Sequence, residues 1–292
     1  MLRSTCLAAA LSALLAAAPT ATAHHVWIEV ADFTPEPGAT LPVELHVGDH
    51  LPGERLPRNA SRIVRFAILG DEAGEQAVPG VDGVRPFGIA RLGEAPGERV
   101  IVYRGNESHN TLPPERFARY LEEEGLDSIA ARRAELGESD QPGSESYSRS
   151  LKALITVGGA APAEGTRSPH LEAAGLDLEL VPERRPAALR AGDELTLRLL
   201  WQGEPLAGTR VVAVAAAAPD APQAAESDAE GKVRFRLGAG GLWRLTAIHM
   251  QRADDGDTDW RSVWTALTFE VRGEVTGEAP DTVTADETAD VR

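Results

Sequence analysis

Glu194-Leu195-Thr196-Leu197-Arg198-Leu199-Leu200-Trp201 and, after Gly203-Glu204-Pro205-Leu206-Ala207-Gly208, the run Thr209-Arg210-Val211-Val212-Ala213-Val214-Ala215 carry the pattern on which the fold class turns. Short alternating runs bounded by Gly and Pro suit β-strands, because successive side chains on a strand point to opposite faces. The Gly203–Gly208 segment between them reads as a hairpin connection. Runs of the same kind lie on either side: Leu176–Val181, Lys232–Leu237, Trp243–Met250 and Ser262–Val271, with a tight turn at Asp228-Ala229-Glu230-Gly231. Six short strands with turns between them predict a second domain, residues 176–272, built as an immunoglobulin-like or transthyretin-like sandwich. Residues 273–292 are mostly Thr, Glu, Asp, Ala and Pro, the composition of an acidic disordered tail.

Towards the N-terminus, the Gly-, Ala- and Pro-rich stretch before residue 176 predicts a linker over 159–175. Residues 24–158 then read as a first β domain, with strands at Val26–Val30, Leu41–Val47, Ile63–Leu69, Arg99–Arg104 and Ser150–Val157. Ile63-Val64-Arg65-Phe66-Ala67-Ile68-Leu69 alternates imperfectly, as a strand buried on most of both faces would. Glu36-Pro37-Gly38-Ala39 places Pro and Gly at the two centres of a type II turn. One helical insertion interrupts the strands. Pro113 and Pro114 suit a first helical turn, Glu115 complements its dipole, Phe117, Tyr120 and Leu121 share a face, and Gly125 ends the helix. A second short helix, about 128–136, stops at Gly137, and a polar loop follows from Glu138 to Glu145. The expectation is a mainly β protein of two sandwiches, the first with a short helical insertion.

The first residues carry a different signal. Arg3, an Ala- and Leu-rich run from Leu7 to Ala18, Pro19 and Ala21-Thr22-Ala23 form the three-part pattern of a secretory leader, too short to span a membrane. Cleavage after Ala23 is expected to export the protein to the periplasm, with no membrane span remaining. Taking residues 1–23 from 292 leaves 269, which removes the single cysteine, so neither disulfides nor thiolate chemistry remain. The net charge of −16, or −17 without Arg3, repels phosphate backbones and argues against nucleic acid as a partner.

Cleavage there would make His24 the first residue, and that is the most specific chemical feature of the sequence. Its α-amine and imidazole Nδ1 chelate a divalent ion within one residue, and the amine's ordinary pKa of about 8 leaves proton competition modest. A third nitrogen would complete a T-shaped histidine brace, a set that favours Cu(II) or Ni(II) over Mg(II) or Ca(II). His249, in the apolar run Leu245–Met250, is the leading partner; His25 beside His24, and His46 or His50 around Val47-Gly48-Asp49, are others. His109 and His170 fall in loops and read as surface residues. Asp254-Asp255-Gly256-Asp257-Thr258-Asp259 lacks the later glutamate of an EF-hand and reads as a solvated loop joining two strands. Trp27, Trp201, Trp243, Trp260 and Trp264 lie in or beside strands, where core packing accounts for them as well as a sugar platform does. No G-x-S-x-G, phosphate-cradling glycine loop or H-E-x-x-H is present, so no enzymatic role is expected.

Several phrases together resemble a known family. His24-His25-Val26-Trp27-Ile28-Glu29 follows the leader; Val47-Gly48-Asp49, Pro52-Gly53-Glu54 and Leu112-Pro113-Pro114-Glu115-Arg116-Phe117 come next. Tyr120-Leu121-Glu122-Glu123-Glu124-Gly125-Leu126, Gly137-Glu138-Ser139, Tyr147-Ser148-Arg149, Ile248-His249-Met250 and Trp264-Thr265-Ala266-Leu267-Thr268-Phe269 complete the set. From His24 to about Val271 the chain is similar to the DUF4198 family, exported proteins labelled as periplasmic components of cobalt or nickel transport. The resemblance implies a divalent transition-metal binding accessory protein for Ni, Co or Cu, with a membrane metal transporter as partner. Family members often begin Ala-His-Asp-Phe-Trp, so His24 matches the first histidine, His25 replaces the aspartate, and His249 matches a late His-Met pair. Two other readings stand beside this: a non-metal module presenting loops to a protein or glycan partner, and, ranked last, a copper oxygenase.

Overall fold

The computed structural model describes residues 24–71, 74–159, 167–254 and 256–273. The expected leader, tail and middle of the linker, and Asp255 of the acidic loop, lie outside these residues. The chain is mainly β, as its alternation predicts. Its first half lays down β1 (Val26–Val30), β2 (Thr40–Val47), β3 (Glu54–Arg55), β4 (Ile63–Asp71), β5 (Gly74–Ala77), β6 (Gly88–Arg91), β7 (Gly97–Gly105) and β8 (Ser108–Leu112). Helices α1 (Pro114–Glu123) and α2 (Asp127–Glu135) follow, then the long β9 (Gly143–Val157). The second half holds β10 (Leu178–Pro182), β11 (Glu194–Trp201), β12 (Glu204–Pro205), β13 (Arg210–Ala215) and β14 (Ala218–Glu226). It closes with β15 (Lys232–Arg236), β16 (Gly241–Arg252) and β17 (Trp260–Val271).

These strands form three sheets. In one small sheet β1 lies beside β2, whose other edge carries β6 and β3. In the other, β10 lies beside β11, whose other edge carries β15 and β12. The third, in the order β14-β13-β16-β17-β9-β7-β4-β5 with β8 also on β9, draws on both halves of the chain. Its joint is β17 running parallel to β9, from Trp260 opposite Glu145 to Thr268 opposite Ala153.

The small sheets cover opposite faces of the large one, giving the two expected sandwiches a common wall. In β7, Val100 and Val102 enter the core beneath β10, β11 and β15, while Ile101 and Tyr103 enter the core beneath β1 and β2. In β4, Ala67 faces the first core and Phe66 and Ile68 the second; in β9, Leu154 and Ile155 divide the same way. This is why Ile63–Leu69 alternates poorly: a strand covered on both sides needs no polar face. Each Val, Leu, Ile or Phe among them contributes roughly 1.5–3 kcal/mol when buried, so these strands require a sheet on both sides.

The local signals read from sequence mostly recur. Ala39 N–H donates to the Glu36 carbonyl at 3.2 Å with Gly38 at φ 73°, the expected type II turn. Helix α1 buries Phe117, Tyr120 and Leu121. It ends with Gly125 at φ 68°, where Leu126 N–H reaches the Leu121 carbonyl at 2.7 Å and Gly125 N–H the Glu122 carbonyl at 3.1 Å, a Schellman cap.

Two readings are corrected. Gly203–Gly208 does not lead into a hairpin partner: Gln202 and Gly203 make a tight turn, Glu204 and Pro205 pair back on Trp201 and Leu200, and the chain then crosses to the large sheet as β13. The polar loop 138–145 is shorter than expected, because Gly143, Ser144 and Glu145 already pair with β8. Strand β14 carries no strand signal in the sequence, since Pro219 and Pro222 are turn formers; among the described residues β14 pairs only with β13, and an edge strand tolerates proline. Among the described residues no helix is long and apolar enough to cross a membrane.

Candidate functional site

Register places the first described residues. Val26 lies opposite Val47, and Gly48 N–H donates to the His25 carbonyl at 3.0 Å, so His24 and His25 run beside the turn that follows β2. There His24 Nδ1 stands 2.9 Å from Asp49 Oδ1. His25 Nε2 lies 3.4 Å from Glu124 Oε2, and its ring meets Trp264 edge-on at 5.3 Å between centroids. Glu124 caps the C-terminal end of α1. The helical insertion, the start of β1 and the end of β2 therefore converge on two imidazole–carboxylate pairs.

A cleft of about 850 Å³ opens at this point, with Asp49, His50 and Glu124 on its walls and Arg210, Arg244 and Val212 on its floor. Arg244 is buried in β16. Its guanidinium lies 4.5 Å above the Trp27 ring, and Nη2 donates to the Asp49 carbonyl at 3.0 Å. Burial pulls its pKa down to about 10, against the opposing pull of the Asp49 and Glu124 carboxylates. Arg244 thus anchors the main chain of Asp49, and with it the carboxylate facing His24. A single cation inside the apolar run Trp243–Met250 was the signal that sequence reading passed over; nothing local marked Glu124.

Below the cleft, Tyr120 stacks on Trp264 at 5.9 Å, and its hydroxyl donates to Glu145 Oε1 at 3.0 Å. Ser262 Oγ donates to the same carboxylate oxygen and accepts from Trp264 Nε1 at 3.2 Å. Burial pushes the Glu145 carboxyl up, with the Ser262 and Tyr120 hydrogen bonds opposing.

His249 does not join this group. Along β16, Trp243, Leu245 and Ala247 face the core under β11, and His249 continues that face with its ring 4.6 Å from that of Trp201. Arg244, which reaches Asp49, is on the other face, so the large sheet separates His249 from His24. Burial lowers the His249 pKa. His46 sits opposite Trp27, and its Nδ1 donates to the Pro52 carbonyl at 2.7 Å, holding the turn beyond β2. Among the described residues no three His, Cys, Asp or Glu side chains are grouped to hold a metal ion.

Two further readings change. His170 is buried, not at the surface: the turn Pro169–Leu171 tucks beneath β7 and β9, where Nε2 donates to the Arg99 and Ile155 carbonyls, both at 3.0 Å. His109 is exposed as expected, but on β8 instead of a loop. Trp27, Trp243, Trp260 and Trp264 are core residues, and Trp201 packs against the core edge. The acidic loop joins β16 to β17, and Asp259 Oδ2 accepts from Ser144 N–H and Oγ at 2.9 and 2.6 Å.

A family model described as "Domain of unknown function (DUF4198)" matches residues 21–251, ending before β17. Among solved structures, the D0-D1 domain of Intimin aligns over 83% of this chain and 96% of its own, at 10% identity and a TM-score of 0.20. A Salmonella alpha-2-macroglobulin mutant aligns over 84% of this chain and 15% of its own, at 13% identity and a TM-score of 0.19. The D00-D0 domain of Intimin gives 84% and 99%, 10% identity and a TM-score of 0.17. At such scores the fold description rests on the sheets themselves. No curated protein matches the chain.

Proposed function

This chain belongs to the DUF4198 family, and on that premise we propose that it is a periplasmic accessory protein that captures a divalent transition-metal ion, Cu, Ni or Co, at His24. The observation that carries this reading is the 2.9 Å contact between His24 Nδ1 and Asp49 Oδ1 at the mouth of the cleft. Cleavage after Ala23 would free the α-amine beside that same imidazole. The terminal residue then offers two nitrogens, and Asp49 offers a carboxylate that offsets the ion's charge. Asp49 takes the place of the third nitrogen sought at His249. Two side-chain donors alone do not make a site, so cleavage becomes the step that completes it. Delivery to a membrane metal transporter is part of the same proposal, supported by the resemblance to exported proteins labelled for cobalt and nickel transport.

Calorimetric titration of Cu(II), Ni(II) and Co(II) into protein beginning at His24, beside protein with one extra glycine ahead of it, tests the reading. One-to-one binding is expected only in the first. Asp49→Asn should weaken it by about 10–100-fold, the usual effect of removing a carboxylate that holds or orients a ligand. His249→Ala should leave affinity unchanged. Equal binding with and without the glycine, or none in either, would overturn the proposal and leave a β-sandwich interaction module as the better account.

A further inference from the structure

A second cavity, of about 630 Å³, lies across β1 from the cleft. Val26 lines it, whereas His25 lines the cleft, because adjacent residues of a strand point to opposite faces. Its walls are apolar, with Leu45, Val47, Leu56 and Phe87 among them, yet Arg58, Arg62 and Arg149 line it too. Asp82 is the sole carboxylate among the described residues of the lining. In a chain of net charge −16 this is a local reversal of sign.

The three guanidiniums differ in how they are occupied. Arg58 donates to the Phe87 carbonyl at 3.0 Å and stands 3.9 Å from Asp82. Arg62 donates to Ser108 Oγ. Arg149 has the rings of Tyr147 and Trp264 at 5.5 and 5.4 Å, and its buried Nη1 has no hydrogen-bond partner. Burial pushes the Tyr103 hydroxyl up, with the charges of Arg149, Arg62 and Arg58 opposing, and the hydroxyl donates to the Arg62 carbonyl at 3.0 Å. The buried Glu145 carboxylate already acts on this charge while accepting from Tyr120 and Ser262, so a guanidinium held by aromatic faces with donor capacity to spare still gains from a further anion.

We propose that this cavity binds a small organic carboxylate with an apolar body, an aryl- or alkyl-carboxylic acid. The carboxylate accepts from Arg149, with Arg62 at the rim, and the apolar body lies against Leu45, Val47, Leu56 and Phe87. Dispersed apolar contact gives affinity here, and the cation gives preference for the ionised acid. The site shares no donor with His24 and does not depend on a metal.

Equilibrium dialysis of 4-phenylbutyrate and of its neutral amide against the mature protein, with EDTA present, separates the possibilities. The acid is expected to bind one-to-one and the amide about tenfold more weakly, the difference one charge-assisted hydrogen bond makes. Arg149→Gln should lose about tenfold for the acid and nothing for the amide. Arg62→Gln, an exposed change that leaves the core intact, should weaken the acid about threefold and flatten its salt dependence. Equal affinity for acid and amide, no binding of the acid, or full affinity in folded Arg149→Gln would each overturn the proposal. Should Arg149→Gln lose its fold by circular dichroism, the comparison of acid with amide on the unmodified protein decides alone.

Discussion

At the scale of single residues, the molecule depends on side chains that are buried with charge or close to it. Arg244 joins three things: the Trp27 ring, the Asp49 carbonyl and the floor of the cleft. Arg244→Met keeps the length but removes the donor, and should cost about 1–3 kcal/mol, read as a lower urea midpoint. It should also blur the His24–Asp49 contact, read as faster hydrogen exchange at the Gly48 amide, which donates to the His25 carbonyl. One buried histidine, His170, and one half-buried, His249, make a pH prediction. Burial holds the imidazoles of His170 and His249 below their ordinary 6.5, so below that pH the unfolded chain takes up protons that the folded chain refuses. Their contribution is therefore full above about pH 6.5 and declines as pH falls. The urea midpoint should drop between pH 7.5 and 5.5, and His249→Phe, which keeps the ring on Trp201, should make that drop smaller. An unchanged slope in the variant would show that His249 does not titrate differently on unfolding.

At the scale of elements, the contacts between strands and sheets carry the argument. Lys152 on β9 and Glu179 on β10 form a fully buried pair at 2.7 Å, tying the large sheet to one of its covers. Glu179 also accepts from the backbone N–H groups of Ala174, Gly175 and Leu176, which explains why a carboxylate is tolerated there. Burial lowers the Lys152 pKa, with Glu179 opposing. Lys152→Met should cost about 3–5 kcal/mol by chemical denaturation, because it strands a buried carboxylate. Helix α1 is likewise placed by its ends: Gly125 is left-handed, and a Cβ there would come 2.6 Å from Arg210 Cδ. Gly125→Ala should cost about 1 kcal/mol and move Glu124, and with it the wall of the cleft.

At the scale of the whole molecule, the parallel joint between β9 and β17 ties the two halves of the chain into one sheet. Ala67, Val100, Val102 and Leu154 from the first half share a core with Leu178, Leu195 and Leu197 from the second. A chain built this way should unfold in one calorimetric transition, with calorimetric and van't Hoff enthalpies equal. Residues 24–158 expressed alone would expose the edge of β9 and the uncovered faces of β4 and β7, and should lack a cooperative transition. Two separate transitions, or a stable fragment, would show that the halves fold independently.

What the sequence determined by itself was local. The alternation at Glu194–Trp201, the Pro-Gly turn at residues 37 and 38, the Pro-rich start of α1 and its glycine stop are decided by neighbouring residues, and they were legible for that reason. His24 and His25 also stood out, because their chemistry lies in the residue type and the position ahead of β1. Which carboxylates they meet was not legible, since Asp49 and Glu124 arrive from a turn and a helix end far along the chain. Nor could the sequence say which face of β16 is which: a strand's period of two leaves the choice between Arg244 and His249 open until the sheets stack. The common sheet was hidden for the same reason, because a strand's pairing partner is chosen by long-range burial of its faces and leaves no mark in the strand's own residues.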